Sequence, residues 1–344
     1  MKQQIAVITF SVLLAACGGK NEEKTDVKDS TKTGKTEAVD YSKIEVELTP
    51  KDENGKYGYT DYQGKEVIAK QFDYAAYFKE GLARVGKGPF EYSMPKADAK
   101  FGFIDPKGKM VIDYMYDEAN DFKSGYAAVG KGERDQYGLF RGKWGFIDHS
   151  GKEVIACKYD RVRDFSDECA PVRVMKNEYE GEWMYIDKTG KQIIGDMYQE
   201  AWNFLDGMAA VAKNGNLGFI DKTGKVVIPM QYDNFKQVYD VMNFAQQHYA
   251  DANGIMIVSK DEKWGAIDKT GKEIIPFKYD DLDVFNSGMA RIEKNGKFGY
   301  VDSTGAEVIK PQFDEAYSFV YGKATVKQKG KEFKIDKAGK EIKE

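Results

Sequence analysis

Residues 143–155 read KWGFIDHSGKEVI, and variants of this stretch recur along the whole second part of the chain. The shared pattern is aromatic-Gly-aromatic-Ile-Asp-x-x-Gly-Lys-x-Val-Ile, and successive copies lie 34 to 47 residues apart. A fixed pattern at this spacing indicates a tandem repeat, with the excess length present as inserted loops. The aspartates that mark the eight copies are Asp61, Asp105, Asp148, Asp187, Asp221, Asp268, Asp302 and Asp336.

Each copy carries strong turn signals. Asp-x-x-Gly favours a type I turn in which the Asp side chain caps backbone amides and Gly takes the left-handed conformation. Asn54-Gly55, Asn214-Gly215 and Asn295-Gly296 are typical two-residue hairpin turns. We therefore predict three antiparallel strands per unit: Ala-x-Val, then aromatic-Gly-aromatic-Ile, then Lys-x-Val-Ile. The glycine between the aromatics is expected to let a neighbouring ring lie close.

A unit of this size cannot form a stable core alone, so neighbouring units must stack. Residues 44–48 alternate as a first strand would, and residues 339–342 fit the third strand of a last unit. A closed propeller often shares one blade between its two ends, and the sequence has no such split. We predict an all-β fold over residues 44–344, with about eight three-stranded units stacked as an open β-solenoid-like array. The alternative is a closed β-propeller-like ring.

Two further motifs recur in the units. Aromatic-Asp pairs such as Tyr159-Asp160 follow the third predicted strand, and Phe-x-x-Gly-x-Ala-x-Val follows them, as in residues 122–129. Together with the KWGFID-like core, these residues resemble the bacterial WG-repeat family, which is named for its Trp-Gly dipeptide. The resemblance covers about residues 44–344.

The N-terminus has the features of a targeting segment. Lys2 precedes an apolar run over residues 5–14, which is too short to span a bilayer. Leu14-Ala15-Ala16-Cys17 resembles the bacterial lipoprotein signal, and this resemblance implies cleavage of residues 1–16 and acylation of Cys17. Acyl chains of this kind hold a protein stably in a membrane. The alternative is an ordinary cleaved signal with an incidental cysteine.

Residues 17–43 are rich in charged and small polar residues, and they predict a disordered tether. The sequence Lys20-Asn21-Glu22-Glu23 resembles the surface-export tag of Bacteroidetes-type lipoproteins. The alternative interpretation, which the residues support equally well, is a solvated spacer. We expect a lipid-anchored protein of the cell envelope, in the outer membrane, on the periplasmic face or the cell surface.

Composition argues against several functions. With 52 Lys and Arg against 56 Asp and Glu, the charge is close to balanced, which does not suit nucleic-acid binding. The two histidines, His149 and His248, offer little material for catalysis or metal binding. Aspartates that recur at one turn are expected to be structural, since catalytic residues should occur once. We therefore expect no enzyme activity, no cofactor and no metal, and we read His149 as a surface turn residue.

Two cysteines remain besides Cys17. Cys157 and Cys169 lie twelve residues apart and could form a disulfide in an oxidising compartment. Alternatively, each packs as a small apolar residue.

Residues that break the repeat are the best candidates for binding. Exposed aromatic side chains stack on sugars and pack in protein interfaces. Insertions at residues 86–100, 130–142 and 239–253 could add to a binding surface. The spacing of Val241, Phe244, Ala245 and Tyr249 predicts a short amphipathic helix in the last of them. We expect a non-catalytic protein that binds a protein or glycan partner; the alternatives are a structural spacer or an envelope hydrolase. The aromatic candidates are Tyr62, Tyr77, Tyr126, Trp202 and Tyr317.

Overall fold

The computed structural model describes residues 40–41, 44–135, 138–177, 180–239, 247–251 and 253–343. The regular structure of these residues is almost entirely β-strand. None of them belongs to a helix that is long and apolar enough to cross a membrane. The predicted signal segment, Cys17 and nearly all of the predicted tether lie outside the described residues.

Within the described residues, eight antiparallel sheets of three or four strands follow one another along the chain, and each is a meander. Two further two-stranded ladders lie in insertions: Phe90–Glu91 with Met94–Pro95, and Val238–Tyr239 with Gln247–His248. We number the sheets of three or four strands sheet 1 to sheet 8 and name their strands lead, second, central and last in chain order. Sheet 1 has no lead strand, and sheets 4 and 8 have no last strand. The strands are Thr49–Glu53, Lys56–Thr60 and Glu66–Phe72 (sheet 1); Tyr74–Lys79, Leu82–Lys87, Lys100–Ile104 and Met110–Tyr116 (sheet 2); Glu118–Ala119, Tyr126–Lys131, Lys143–Asp148 and Glu153–Tyr159 (sheet 3); Arg161–Val162, Cys169–Met175 and Gly181–Asp187 (sheet 4); Glu200–Ala201, Met208–Lys213, Asn216–Asp221 and Val226–Tyr232 (sheet 5); Asn234–Phe235, Ile255–Lys260, Lys263–Asp268 and Glu273–Tyr279 (sheet 6); Asp281–Leu282, Met289–Lys294, Lys297–Asp302 and Glu307–Phe313 (sheet 7); Glu315–Ala316, Lys323–Gln328 and Lys331–Asp336 (sheet 8).

The prediction of an all-β repeat is confirmed, with differences in detail. Sheets 2 to 8 have a lead strand that was not predicted, and in all of them except sheet 2 it has only two residues, which are too few to show a period. The first strand was predicted too early: it is Thr49–Glu53, while Val46 and Leu48 pack against the core beneath sheet 1. At the other end of the chain, residues 339–342 contribute only a single bridge between Ile335 and Glu341.

The predicted Asn-Gly hairpin turns are present. Asn214 and Gly215 have φ angles of 54° and 80°, and the corresponding residues of the turns at residues 54–55 and 295–296 are also left-handed. Left-handed conformations at both central residues define the type I′ turn, whose twist matches that of the strands it joins.

The core consists of seven clusters of buried side chains, each between two consecutive sheets. Between sheets 2 and 3, for example, Phe103 and Ile112 pack with Phe122 and Val129. The units therefore bury one another, as a stack of small repeats must.

The turn glycines contribute to this stacking. Gly151 of sheet 3 has a φ of 82°, and a Cβ added to it would lie 3.0 Å from Cγ1 of Ile112 in sheet 2. Gly108 lies against Ile68 in the same way, and Gly224 lies against Ile194. The Asp-x-x-Gly turn of one unit is thus seated on the isoleucine of the preceding unit.

The glycine of the central strand lies against backbone. A Cβ added to Gly145 would be 2.3 Å from the carbonyl oxygen of Ile155, at the register shift between the central and last strands. The expected neighbouring ring is seen at Gly265, where Phe277 adds to the close carbonyl of Ile275. In each copy with this glycine, however, the atom nearest to the added Cβ is a backbone carbonyl oxygen of the last strand.

The ends of the array differ from its middle. In sheet 3, Ala127, Val129 and Ile147 pack toward sheet 2, and Ala128 and Phe146 pack toward sheet 4. In sheet 1, the strand register places Thr49, Lys51 and Thr60 at the positions that Ala127, Val129 and Ile147 occupy in sheet 3. In sheet 8, Thr325 and Lys334 lie at the positions of Ala128 and Phe146.

Because these positions are polar, the outer faces of sheets 1 and 8 lack the apolar side chains that would pack against another sheet. Across the described residues, no hydrogen-bonded ladder and no buried cluster joins sheet 1 to sheet 8. The array is open, and the closed-ring alternative is set aside.

Candidate ligand-binding face

The eight marker aspartates cap their own turns. In the copy at residues 221–225, Oδ1 of Asp221 accepts hydrogen bonds from the backbone amides of Thr223 at 2.9 Å and Lys225 at 3.1 Å. The Thr223 hydroxyl also donates to Oδ1, and this bond holds the pKa of Asp221 below its ordinary value. The remaining copies make the same pair of amide contacts: Asp61, Asp105, Asp148, Asp187, Asp268, Asp302 and Asp336.

A second set of aspartates joins consecutive sheets. Asp160 follows the last strand of sheet 3, where Lys143 donates to its Oδ1 at 2.5 Å. Its Oδ2 accepts the backbone amide of Met175 in sheet 4 at 2.9 Å. Burial raises the pKa of Asp160, but these hydrogen bonds outweigh burial and hold the pKa below its ordinary value. The same lysine and amide contacts are made by Asp73, Asp117, Asp280 and Asp314.

Sheets 2 to 8 each contain a two-residue stretch that lies at the same place in the unit but differs in sequence from copy to copy. It follows the lead strand or, in sheet 2, lies within it. In three copies its backbone accepts a hydrogen bond from a tyrosine in the central strand of the preceding sheet. Tyr185 donates to the carbonyl of Trp202 and Tyr300 to that of Tyr317, each at 2.7 Å. We call these pairs the variable segments: residues 76–77, 120–121, 163–164, 202–203, 236–237, 283–284 and 317–318.

The variable segments of successive units contact one another. Asn120 donates to Oδ1 of Asp164 at 3.1 Å, and Asn203 donates to the carbonyl oxygen of Asp164 at 2.6 Å. Farther along, Nζ of Lys236 lies 3.4 Å from Oδ1 of Asp283. These contacts place the segments side by side, and we refer to them together as the binding face.

A cleft opens on the binding face where sheets 5, 6 and 7 meet. Its volume is about 430 Å³, within the usual range for ligand sites. The Trp202 and Phe235 rings meet edge to face in it, with centroids 5.2 Å apart. The guanidinium of Arg163 lies 5.5 Å from the Trp202 ring centroid. The lining residues are Trp202, Asn234, Phe235, Lys236, Gln237, Asp283 and Val284.

Charges in the cleft are compensated within the protein. Lys236 contacts Oδ1 of Asp281 at 2.6 Å as well as Asp283. Arg291 contacts Oδ2 of Asp283 at 2.7 Å and Oδ2 of Asp281 at 3.4 Å. Two cations and two carboxylates therefore form one neutral network in the floor of this face.

A second cleft of about 430 Å³ adjoins the first, and Asn234 lines both. Nζ of Lys236 lies 4.8 Å from the ring centroid of Trp264, which lines the second cleft. Asp261 and Glu262 form its hairpin turn, with φ angles of 50° and 61° where other units have Asn-Gly. A non-glycine residue at the second of these positions is strained, which is a feature of functional turns. The other lining residues are Asp233 and Ser259.

The structure separates the five predicted aromatic candidates. Trp202, Tyr77 and Tyr317 lie in variable segments, and the two tyrosines are each 58% exposed. Tyr62 is 82% exposed but belongs to an Asp-x-x-Gly turn and not to a variable segment. Tyr126 is half-buried with its ring 4.8 Å from that of Phe165, so it serves the packing of sheets 3 and 4.

The other side chains of the first cleft were not predicted from the sequence. Phe235, Lys236 and Asp283 are ordinary residue types, and each occurs in a segment without a motif. Aligning the units on the aromatic-Asp pair would have shown that no two copies share the same residue pair three and four positions later.

The insertions were only partly predicted. Residues 86–100 contain a small hairpin, in which Phe90 stacks on Tyr74 at 5.5 Å. The predicted helix over residues 239–253 is wrong at its ends, because Val238–Tyr239 pairs with Gln247–His248 as a strand ladder. The residues between these strands, with Val241, Phe244 and Ala245, lie outside the described residues.

His149 is more buried than a surface turn residue would be. Its ring stacks on Phe122 at 4.3 Å, and its Nε2 lies 3.4 Å from Oε2 of Glu80. The contact joins sheet 3 to the hairpin of sheet 2. Within the part of the chain that the structure describes, no three His, Cys, Asp or Glu side chains cluster as metal ligands.

Cys157 and Cys169 are both free thiols, so the disulfide is not formed. The physical reason is that they pack in different cores: Cys157 lies against the cluster between sheets 2 and 3, and Cys169 belongs to that between sheets 4 and 5. Burial raises the pKa of Cys169 to about 12 and also raises that of Cys157. Both thiols are therefore protonated at neutral pH.

Stacked copies of one sheet define this molecule as a tandem β-repeat protein. The sequence profile described as "WG containing repeat" matches residues 57–88, 101–134, 144–179, 183–216, 218–240, 264–298 and 298–331, more than half of the chain. The chain belongs to the WG-repeat family.

The solved structures that match the chain are distant from it in sequence. A eukaryotic initiation factor is 10% identical with a TM-score of 0.48, and the match covers 86% of this chain and 84% of that one. AztD from Citrobacter koseri is 13% identical with a TM-score of 0.35, over 86% and 93% of the two chains. The uncharacterized protein lmo1340 from Listeria monocytogenes EGD-e is 12% identical with a TM-score of 0.37, over 75% and 89%. No curated protein sequence matches the chain.

Proposed function

We propose that this protein is a non-catalytic, lipid-anchored protein of the cell envelope that binds a protein or glycan partner through the binding face. One observation carries the proposal of binding. Residues that break the repeat in three successive units, among them Trp202, Lys236 and Asp283, line a single cleft. A spacer without a ligand has no need of such a cleft.

The binding proposal is tested by affinity capture from envelope extracts with the full mature protein. We expect Trp202→Ala combined with Tyr317→Ala to reduce the captured material strongly. Tyr62→Ala is the matched control, because it removes an exposed ring that belongs to no variable segment and lines neither cleft. Equal capture by all three proteins, or no capture by any, would favour the spacer.

The anchor proposal depends on the lipoprotein-like signal that ends in Cys17. Two or more acyl chains give stable membrane attachment, whereas one gives only reversible binding. We expect cells fed a labelled fatty acid to label the protein, and Cys17→Ser to abolish both the label and membrane fractionation. Labelling that persists in this variant would refute the anchor and leave the binding proposal intact.

A further inference from the structure

The Trp202 cleft has the chemistry of a site for an uncharged, hydroxyl-rich ring. We infer that it binds the sugar rings of a neutral oligosaccharide, an inference that rests on the proposed binding function and specifies its ligand. Three features carry it: a fixed aromatic wall, a charge network that is already balanced, and a second cleft in continuity with the first.

The aromatic wall is held rigidly. Trp202 is half-buried, its carbonyl accepts a hydrogen bond from Tyr185, and its ring meets the Phe235 ring edge to face. Arg163 donates to the carbonyl of Ala201 at 2.9 Å and so holds its guanidinium over one face of the indole, which leaves the other face for a ligand to stack on. A ring fixed in this way loses little conformational entropy when a ligand stacks on it. The C–H face of a pyranose is a suitable partner for such a ring.

In the first cleft, the charge balance disfavours an ionic ligand, and the carboxylates of Asp233, Asp261 and Glu262 that line the second cleft disfavour an anion there. Lys236 and Arg291 are each bound to both Asp281 and Asp283, so an anion or a cation would have to compete with these contacts. Separating a partly buried pair leaves one charge without its partner, which is costly. Sugar hydroxyls donate to carboxylates and accept from ammonium groups, so a neutral sugar can bind while the network stays intact.

Continuity of the clefts favours a chain of sugars over a single one. Asn234 lines both clefts, and each has its own tryptophan, Trp202 in the first and Trp264 in the second. An amide side chain both donates and accepts hydrogen bonds, which suits a hydroxyl-bearing ligand that passes from one cleft to the other.

The experiment is a binding titration of the full mature protein, followed by tryptophan fluorescence and calorimetry. The probes are neutral hexasaccharides (maltohexaose, cellohexaose, chitohexaose and xylohexaose), an oligogalacturonate as the acidic probe, and glucose. We expect at least one neutral hexasaccharide to bind, more tightly than glucose and than the acidic probe. Its affinity should change less than about twofold between low and high salt, because no net charge is neutralised.

The variants separate the cleft from the rest of the surface. We expect Trp202→Ala to weaken binding by about tenfold or more, which corresponds to about 1.4 kcal/mol. Since Trp202 also packs against the core, Gln237→Arg is a second variant, which places a charge in the cleft without removing the ring. It should weaken binding as well, whereas Tyr62→Ala should not.

Two results would overturn the inference: no binding of any neutral hexasaccharide, or equal weakening by Tyr62→Ala. If affinity capture still depends on Trp202 while no neutral sugar binds, the ligand class is wrong and the proposed binding function stands. If capture is also independent of Trp202, both fail.

Discussion

At the residue scale, single carboxylates connect neighbouring units of the array. Asp160 accepts from Lys143 of its own sheet with one oxygen and from the Met175 amide of the next sheet with the other. An ionised carboxylate accepts stronger hydrogen bonds than a neutral group does. The recurrence of an aspartate after each last strand is therefore explained by its position between two sheets.

We expect Asp160→Asn to lower the free energy of unfolding at pH 7 by about 1 kcal/mol, since Lys143 is half-exposed and partly screened. The pKa of Asp160 is depressed in the folded protein, so its contribution is present above the unfolded pKa of about 4 and is lost as the pH falls through the folded value. The difference between variant and wild type should therefore shrink below about pH 4. Urea denaturation between pH 3 and 7 measures this, with the exposed Asp113→Asn as control. A difference that is independent of pH would contradict the assignment.

Sequence patterns predicted some residue roles and not others. The turn position of Asp221 follows from a local motif, because its partners lie two and four residues ahead. The partners of Asp160 lie 17 residues before it and 15 after it, in two different sheets, and no local rule gives them. Similarly, Tyr62 and Trp202 both break the repeat in sequence, but only the fold shows which of them lies in the cleft.

At the scale of the strand, the central glycine determines whether the last strand can pair. Gly145 allows the Ile155 carbonyl to approach at the register shift of sheet 3. In sheet 4 the corresponding residue is Met184, and there the last strand is reduced to two isolated bridges, one between Ile186 and Gln192 and one between Trp183 and Tyr198. Sheets 3 and 4 thus compare strand pairing with and without a glycine at this position.

We expect Gly145→Ala to destabilise the array by about 1–3 kcal/mol, because the added methyl group overlaps backbone that cannot move freely. Gly195→Ala is the matched control: no atom lies within 4 Å of its added Cβ and its φ is not left-handed. This control should be neutral or slightly stabilising. Chemical denaturation followed by circular dichroism compares the two, and equal effects would show that the close approach is unimportant.

Strands were predictable where the sequence has a period. The second, central and last strands have five to seven residues and most of them are rich in apolar side chains, and many of their turns carry Asn-Gly or Asp-x-x-Gly. Lead strands such as Glu118–Ala119 are too short for such a signal. The insertion at residues 239–253 shows the opposite error, since helical spacing of a few apolar residues also fits a hairpin whose strands are short.

At the scale of the whole array, polar residues at the two ends explain why the stack is open. Lys334 of sheet 8 takes the place of Phe146 of sheet 3, and Lys51 of sheet 1 takes the place of Val129. Repeat proteins require such polar outer faces on their terminal units. This feature could have been predicted from the aligned copies, where KEFKID at residues 331–336 stands against KWGFID at residues 143–148.

The central claim is that the recurring aromatic and aliphatic residues bury each sheet against its neighbours, so that each unit is stabilised by packing against the units next to it. Hydrogen exchange measured peptide by peptide by mass spectrometry on Phe146→Lys tests it most directly. This change places a lysine, the residue that sheet 8 has at the equivalent position 334, in the interface of sheets 3 and 4. We expect it to lower the free energy of unfolding by about 3–5 kcal/mol. The account predicts a large loss of protection in sheets 3 and 4 that decreases with distance and is smallest in sheet 8. An equal loss in all eight sheets, or no loss in sheet 4, would contradict it.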